Sequence, residues 1–208
     1  LIKLANKECL LSSTYEPSSK TKMKLRAAPG AGTMYLQSEC AEALAELFAC
    51  AEEAGYKLYL KSAYRAYKTQ KTMYNNRLER NNGKDDGWVS KPGASDHQTG
   101  LGCDVVPGSW KDKSMNSNMA STPECQWMAE HCYEYGFVIR YPEDKQDITE
   151  INYEPWHLRY VGKEVARYIW RNGLCLEEFE QLQAAIDAYL AAGGDARRVE
   201  DLIQTSAE

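Results

Sequence analysis

Residues 95–106 read SDHQTGLGCDVV. Asp104 opens an apolar stretch with Val105 and Val106, and it follows His97 by seven positions. A carboxylate buried beside two valines is costly unless a donor or a cation meets it. A chain built around this string must therefore bring an arginine or a metal ion to the start of an apolar strand, or leave Asp104 exposed. The string reads either as a polar loop running into a strand or as half of a metal site. Histidine is scarce, with only His97, His131 and His157 in the chain, so each one bears on that choice.

The 208 residues suit one domain, or one domain with a helical appendage. At 43% apolar and 26% charged, the chain has enough material for a core. A net charge of -5 argues against a nucleic-acid surface, which needs clustered Lys and Arg. No apolar run reaches the length of a membrane span. The chain begins at Leu1 rather than Met, which reads as a processed or trimmed protein, so the lack of a leader carries no information on location. The seven cysteines (9, 40, 50, 103, 125, 132 and 175) form no Cys-x-x-Cys pair, which disfavours a zinc ribbon or a thioredoxin-like motif. Most are expected to be small buried apolar residues.

Residues 1–34 are rich in Ser, Pro and Gly and read as turns. Residues 38–55 read as a helix with Ser38 as N-cap, Gly55 past its end, and Ala41, Leu44, Phe48 and Ala51 on one face. Residues 56–64 alternate as a strand, and 67–81 return to helical spacing. CDVVP is a strand. Residues 121–136 carry helix punctuation: a Ser or Thr cap, Pro123 in the first turn and Gly136 after the end. Strands are expected at 137–141 and within 154–162, and helices at 163–173 and 176–194. The last fourteen residues read as a weak helix or a disordered tail. The pattern is α+β, with helices packed on a small antiparallel sheet.

Catalytic zinc sites take three protein ligands and keep one position open. His97, Asp104 and His157 have the chemistry of a two-His, one-carboxylate site. Glu154 precedes His157 by three residues, across Pro155 and Trp156. A carboxylate so placed can serve as general base to a water activated by the metal. No His-Glu-x-x-His helix is present. Arg65, between Tyr64 and Tyr67 at a strand-to-helix junction, can grip a carboxylate or an oxyanion, with Gln70 nearby. Plainer readings stand beside these: a surface histidine, an exposed strand aspartate, a loop glutamate, and a structural arginine stacked on tyrosines.

Three segments together resemble the VanY-type zinc D-alanyl-D-alanine carboxypeptidases, a family that includes D,D-dipeptidases and L,D-carboxypeptidases. SAYRAYKTQ (62–70) is similar to its Ser-x-Tyr-Arg-Ser/Ala-x-x-x-Gln pattern. SDHQTGLGCD (95–104) is similar to Ser-x-His-x-x-Gly-x-x-x-Asp, and NYEPWHLRYVG (152–162) to Glu-Pro-Trp-His-x-Arg-Tyr-Val-Gly. LANKECLLSSTYEP also looks like the family's N-terminal segment, so the resemblance runs from about Leu1 to Glu178.

The resemblance implies an α+β fold whose antiparallel sheet floors a zinc-containing cleft. It implies zinc bound by His97, Asp104 and His157, Glu154 as catalytic base, and Arg65 holding the substrate or steadying the oxyanion. Ser95, Gln70 and Tyr141 match positions that contact substrate. Cys103 departs from the pattern, standing where the family commonly has Ala. Strand alternation points it away from the metal. The implied domain spans 1–178, followed by a C-terminal helical extension and tail over 179–208 that reads as a family-specific helix or a partner contact.

The implied activity is removal of the C-terminal D-alanine from a peptidoglycan stem peptide or precursor. L,D-carboxypeptidase or D,D-dipeptidase action is the alternative within the enzyme class, and a non-catalytic zinc module binding wall peptides or a protein is the alternative outside it. Such a substrate places the protein outside the cytoplasmic membrane of a bacterium, anchored or free, with a cytoplasmic role still open. Oligomeric state is not legible.

Overall fold

A computed structural model describes residues 2–199. A two-residue ribbon, β1 (Thr21–Lys22) against β2 (Tyr35–Leu36), leads into helix α1 (Ser38–Glu53). Strand β3 (Leu58–Ser62), helix α2 (Tyr67–Arg80), strand β4 (Gly102–Pro107) and helix α3 (Pro123–His131) follow. The chain continues through β5 (Phe137–Ile139), the single turn α4 (Gln146–Thr149), β6 (His157–Tyr160), α5 (Lys163–Asn172) and α6 (Leu176–Ala191). β3, β4, β6 and β5 form one antiparallel sheet in that order. The expected class, α+β with helices on a small antiparallel sheet, is the one observed.

Register assigns the sheet's two faces to different work. Directly opposed residues in an antiparallel pair share a face, and neighbours along a strand point to opposite faces. Cys103 opposes Leu158, and Asp104 opposes His157. Cys103 and Leu158 join the main core with Leu44, Leu47 and Phe48 of α1, Leu60 of β3 and Met128 of α3. Asp104 and His157 are thereby turned to the opposite face. A second core joins Val138 of β5 to Ala166 and Ile169 of α5 and to Leu176 and Phe179 of α6.

Local punctuation departs from expectation in four places. Gln37, not Ser38, caps α1, and it makes no side-chain capping bond. Ser19 Oγ, from the preceding loop, accepts the Ser38 N–H (3.0 Å), while the Ser38 hydroxyl pairs with Thr21. Gln37 is occupied elsewhere: its side-chain amide donates to Thr99 O (2.8 Å) and its backbone N–H to Gly100 O (2.9 Å), tying α1 to the SDHQTG loop. The helix expected to end before Gly136 is α-helical only to His131; residues 132–135 tighten into one narrower turn, which Gly136 ends as expected. The strand expected at 137–141 ends at Ile139; the Arg140 N–H still donates to His157 O (3.0 Å), and its guanidinium is buried in the interior. The strand within 154–162 is only His157–Tyr160; the turn expected ahead of it at Pro155 is present, closed by His157 N–H to Glu154 O (3.1 Å).

Residue 178, where the C-terminal extension is expected to end the domain, lies in the first turn of α6, between buried Glu177 and Phe179. Of the last fourteen residues, 200–208 lie outside the described residues. Among the described residues no helix is long and apolar enough to cross a membrane. All seven cysteines are free thiols, five of them buried.

Candidate metal centre

A cleft of about 400 Å³ opens over the polar face of the sheet. All eight residues singled out from the sequence line it: Arg65, Gln70, Ser95, His97, Asp104, Tyr141, Glu154 and His157. His131 is not among them. It sits on the surface, paired with Glu134 (2.8 Å) and lying against Trp127.

Three elements converge at the floor. A tight helical turn over residues 96–99 carries His97 and ends at Gly100, whose φ of +70° reverses the chain toward β4. β4 presents Asp104, and β6 presents His157 opposite it. His97 Nε2 lies 3.4 Å from Asp104 Oδ2, and His157 Nδ1 lies 3.5 Å from Asp104 Oδ1. One ligand atom from each of the three residues falls within 4.8 Å of the others, and all three residues are buried. Ala63 O lies 2.8 Å from His97 Nδ1 and accepts the proton of that tautomer, which leaves the Nε2 lone pair facing Asp104.

The electrostatics favour a cation. Asp104 Oδ1 is buried and receives no hydrogen bond among the described residues. Burial alone would raise the Asp104 pKa, but His97, His157 and Arg65 reverse this and hold it well below the ordinary carboxylate range. The His97 pKa is pushed down, first by burial and then by Arg65, against the opposing pull of Asp104. Two imidazoles and an ionised carboxylate converging on one point are a donor set that suits zinc.

Glu154 stands beside this group, 3.2 Å from His157 Nδ1 and 8% exposed. Burial raises its pKa against the opposing hydrogen bond from His157. For His157 the balance runs the other way: burial disfavours the imidazolium, but Glu154 and Asp104 outweigh it and raise the pKa.

Arg65 reaches the cleft from the β3–α2 junction. Its Nη1 donates to Gln70 Oε1 (2.8 Å) and its Nη2 to Ser62 Oγ (3.0 Å), and Nη2 lies 4.0 Å from Asp104 Oδ2. Gln70 in turn donates to Ser90 O (2.6 Å). Gln70 therefore stands behind Arg65 and aims it, and glutamine and serine, not the flanking tyrosines, hold the guanidinium. Ser95 and Tyr141 edge the cleft, with the Tyr141 ring 5.0 Å from that of His157.

Cys103 faces the core as strand alternation predicts. Burial, then Cys40 and Asp104, raises its pKa well above the thiol range, so it stays a neutral apolar side chain. Cys103→Ala is expected to leave zinc stoichiometry and affinity unchanged, at a stability cost of about 1 kcal/mol for the lost packing. Zinc titration of the purified variant checks this; a loss of bound metal would make the thiol a ligand.

Sequence reading missed the charged layer beneath the site. Asp96, Arg140, Arg159 and Glu177 are all buried. Arg140 Nε and Arg159 Nη1 donate to the two oxygens of Asp96 (2.7 and 2.5 Å), and Arg140 Nη1 and Nη2 donate to Glu177 (2.8 and 2.6 Å). The signal was present as an arginine inside each of two short apolar strand segments, FVIRY and HLRY. Such residues stay buried only when paired.

An α+β domain whose sheet and the turn before β4 bring two histidines and an aspartate to one point, with a glutamate and an arginine alongside, has the layout of a metal-dependent hydrolase. The chain belongs to the VanY family, described as D-alanyl-D-alanine carboxypeptidase, whose model matches residues 33–163. It is 39% identical over 182 residues to YodJ of Bacillus subtilis (strain 168), covering 86% of this chain and 66% of that one. The structure of the LD-carboxypeptidase LdcB superposes with a TM-score of 0.80 at 39% identity, covering 86% of this chain and 84% of that one. A mutant of the vancomycin-resistance D,D-pentapeptidase VanY, in complex with Zn(II), superposes with a TM-score of 0.71 at 28% identity, covering 86% and 97%. The chain spans just under two thirds of the length of YodJ and about half that of two enterococcal D-alanyl-D-alanine carboxypeptidases.

Proposed function

We propose that this chain is a zinc-dependent carboxypeptidase that removes the C-terminal D-alanine from peptidoglycan stem peptides, acting outside the cytoplasmic membrane. The observation that carries the reading is the buried His97–Asp104–His157 group with Glu154 in contact with His157. His97, Asp104 and His157 hold the ion. Zinc bound there supplies Lewis-acid polarisation of the scissile carbonyl and lowers the pKa of water.

The protein's own groups do the rest. Glu154 takes the proton of the attacking water and passes it to the departing amine. Arg65, pre-aimed by Gln70 and Ser62, donates to the oxygen on which negative charge develops. Ser95 and Tyr141 contact the peptide at the cleft edge.

Hydrolysis of a stem pentapeptide ending in D-alanyl-D-alanine is expected to fall to background in a strong chelator and to return with added zinc. Mass spectrometry of the products checks both steps. Metal-independent release of D-alanine would overturn the reading.

L,D-carboxypeptidase action on a tetrapeptide is a second reading, favoured by the higher TM-score to LdcB than to VanY. Pentapeptide, tetrapeptide and D-alanyl-D-alanine supplied in parallel separate the D,D, L,D and dipeptidase specificities. Zinc binding with no turnover of any of the three would mark a binding module instead.

A further inference from the structure

The match to the family model spans residues 33–163, yet the charged layer beneath the metal centre is closed by residues on both sides of that span. Glu177 comes from α6, and it takes both Nη atoms of Arg140 (2.8 and 2.6 Å). From the N-terminal segment, Lys3 O accepts from Arg159 Nη2 (2.9 Å), and Asn6 Nδ2 donates to Glu177 Oε1 (3.3 Å). Among the described residues, two buried positive and two buried negative side chains meet here, each at most 5% exposed as a residue.

This layer is attached to the histidine-bearing segments at three points. Asp96 immediately precedes His97 in the turn that carries it. Arg159 lies two residues beyond His157 on β6, on the same face. The Arg140 backbone N–H donates to His157 O (3.0 Å). The Asp96 side chain sits over Gly102, which opposes Arg159 in the ladder. A Cβ at 102 would fall 2.9 Å from Asp96 Cβ, so the strand is bare where the carboxylate crosses it. One set of four ionic side chains thus spans the turn carrying one imidazole and the strand carrying the other.

We infer that Glu177 is a positioning residue for the metal centre: through Arg140 and Asp96 it fixes the His97 turn relative to the His157 strand. This rests on the reading of His97, Asp104 and His157 as zinc ligands. The physical reason is tolerance. A metal site works only when its ligands are held within about 0.5 Å of the productive geometry. Ion pairs with fixed fork geometry set such placement more tightly than apolar contact does. If the layer served stability alone, apolar side chains of similar volume would replace it without loss.

The test uses the full chain and the charge-balanced double variant Arg140→Met/Glu177→Met. Three quantities are read: the unfolding transition of the zinc-free protein, the zinc dissociation constant by competition with a chromophoric chelator, and kcat and KM for D-alanine release. The expected result is a cooperative transition, zinc binding about 10-fold weaker or more, and a lowered kcat with KM nearly unchanged. A folded double variant with wild-type zinc affinity overturns the inference.

Should the double variant not fold, Glu177→Gln decides, since it keeps the shape and one acceptor for Arg140. Weakened zinc binding in the folded protein supports the inference, and wild-type affinity overturns it. The wild-type control separates this from the functional reading. A wild type that binds zinc but releases no D-alanine sinks the activity alone, because zinc affinity still reports on Glu177.

Discussion

Glu154→Gln is expected to lower kcat for D-alanine release by about 10²- to 10⁴-fold, the range for loss of a positioned general base. KM should stay within a few-fold, and bound zinc should stay at the wild-type level. The amide keeps the size of the carboxylate and an oxygen for the contact with His157 Nδ1, now 3.2 Å long. It cannot take a proton from water, so the fall reports proton transfer and not packing. Steady-state kinetics with metal analysis on the same preparation make the check. Full activity in a zinc-loaded Glu154→Gln protein would remove this residue from the mechanism, and Glu154→Ala would then show whether the side chain matters at all.

The second large effect concerns stability. Asp96→Asn removes the charge shared by Arg140 and Arg159, both essentially without solvent contact. Breaking a buried pair by deleting one partner costs about 3–5 kcal/mol, because a charge is left uncompensated. That is a large part of the roughly 5–15 kcal/mol that holds a domain folded.

The effect should depend on pH in a defined direction. Burial would raise the Asp96 pKa, but Arg159 and Arg140 outweigh it, so the folded value lies below the ordinary one. The stabilisation is therefore fully present above the unfolded value, near about 3.9, and is lost as pH falls through the folded value. Unfolding midpoints of the zinc-free proteins should differ strongly at neutral pH, begin to converge below about pH 4, and meet only once pH has fallen below the folded value. A variant within 1 kcal/mol of wild type at pH 7 would show that the two arginines do not depend on Asp96.

That His97, Asp104, Glu154 and His157 share one cleft was legible only through the three ordered motifs that resemble the family, because spacing alone left the plainer reading of each residue open. Asp104 before two valines posed an electrostatic problem that a single local cue exposed. The helices were legible from spacing: Ala41, Leu44, Phe48 and Ala51 are all buried on α1. What spacing does not carry is pairing between distant segments. Arg140 reaches Asp96 and Glu177 across 44 and 37 residues, and Arg159 reaches Asp96 across 63. Nothing local to GFVIRY names those partners. Gln70 was expected to help Arg65 from its place near it, and the resemblance made it a substrate contact; its side chain meets the Arg65 guanidinium (2.8 Å). The cap of α1 was misassigned for the same reason, since its donor is satisfied by Ser19 from another segment.

The opposition of Asp104 and His157 across β4 and β6 has a consequence for how such proteins tolerate change in length. A ladder has a side-chain period of two, so adding or deleting one residue in either strand turns one ligand into the core and brings a core residue such as Cys103 or Leu158 into the cleft. Every ligand would still be encoded, yet the centre would be dismantled. Loops at the cleft edge carry no such parity. Lineages of this fold are therefore free to lengthen their rims and reshape what they accept, while the two central strands are held to a fixed count.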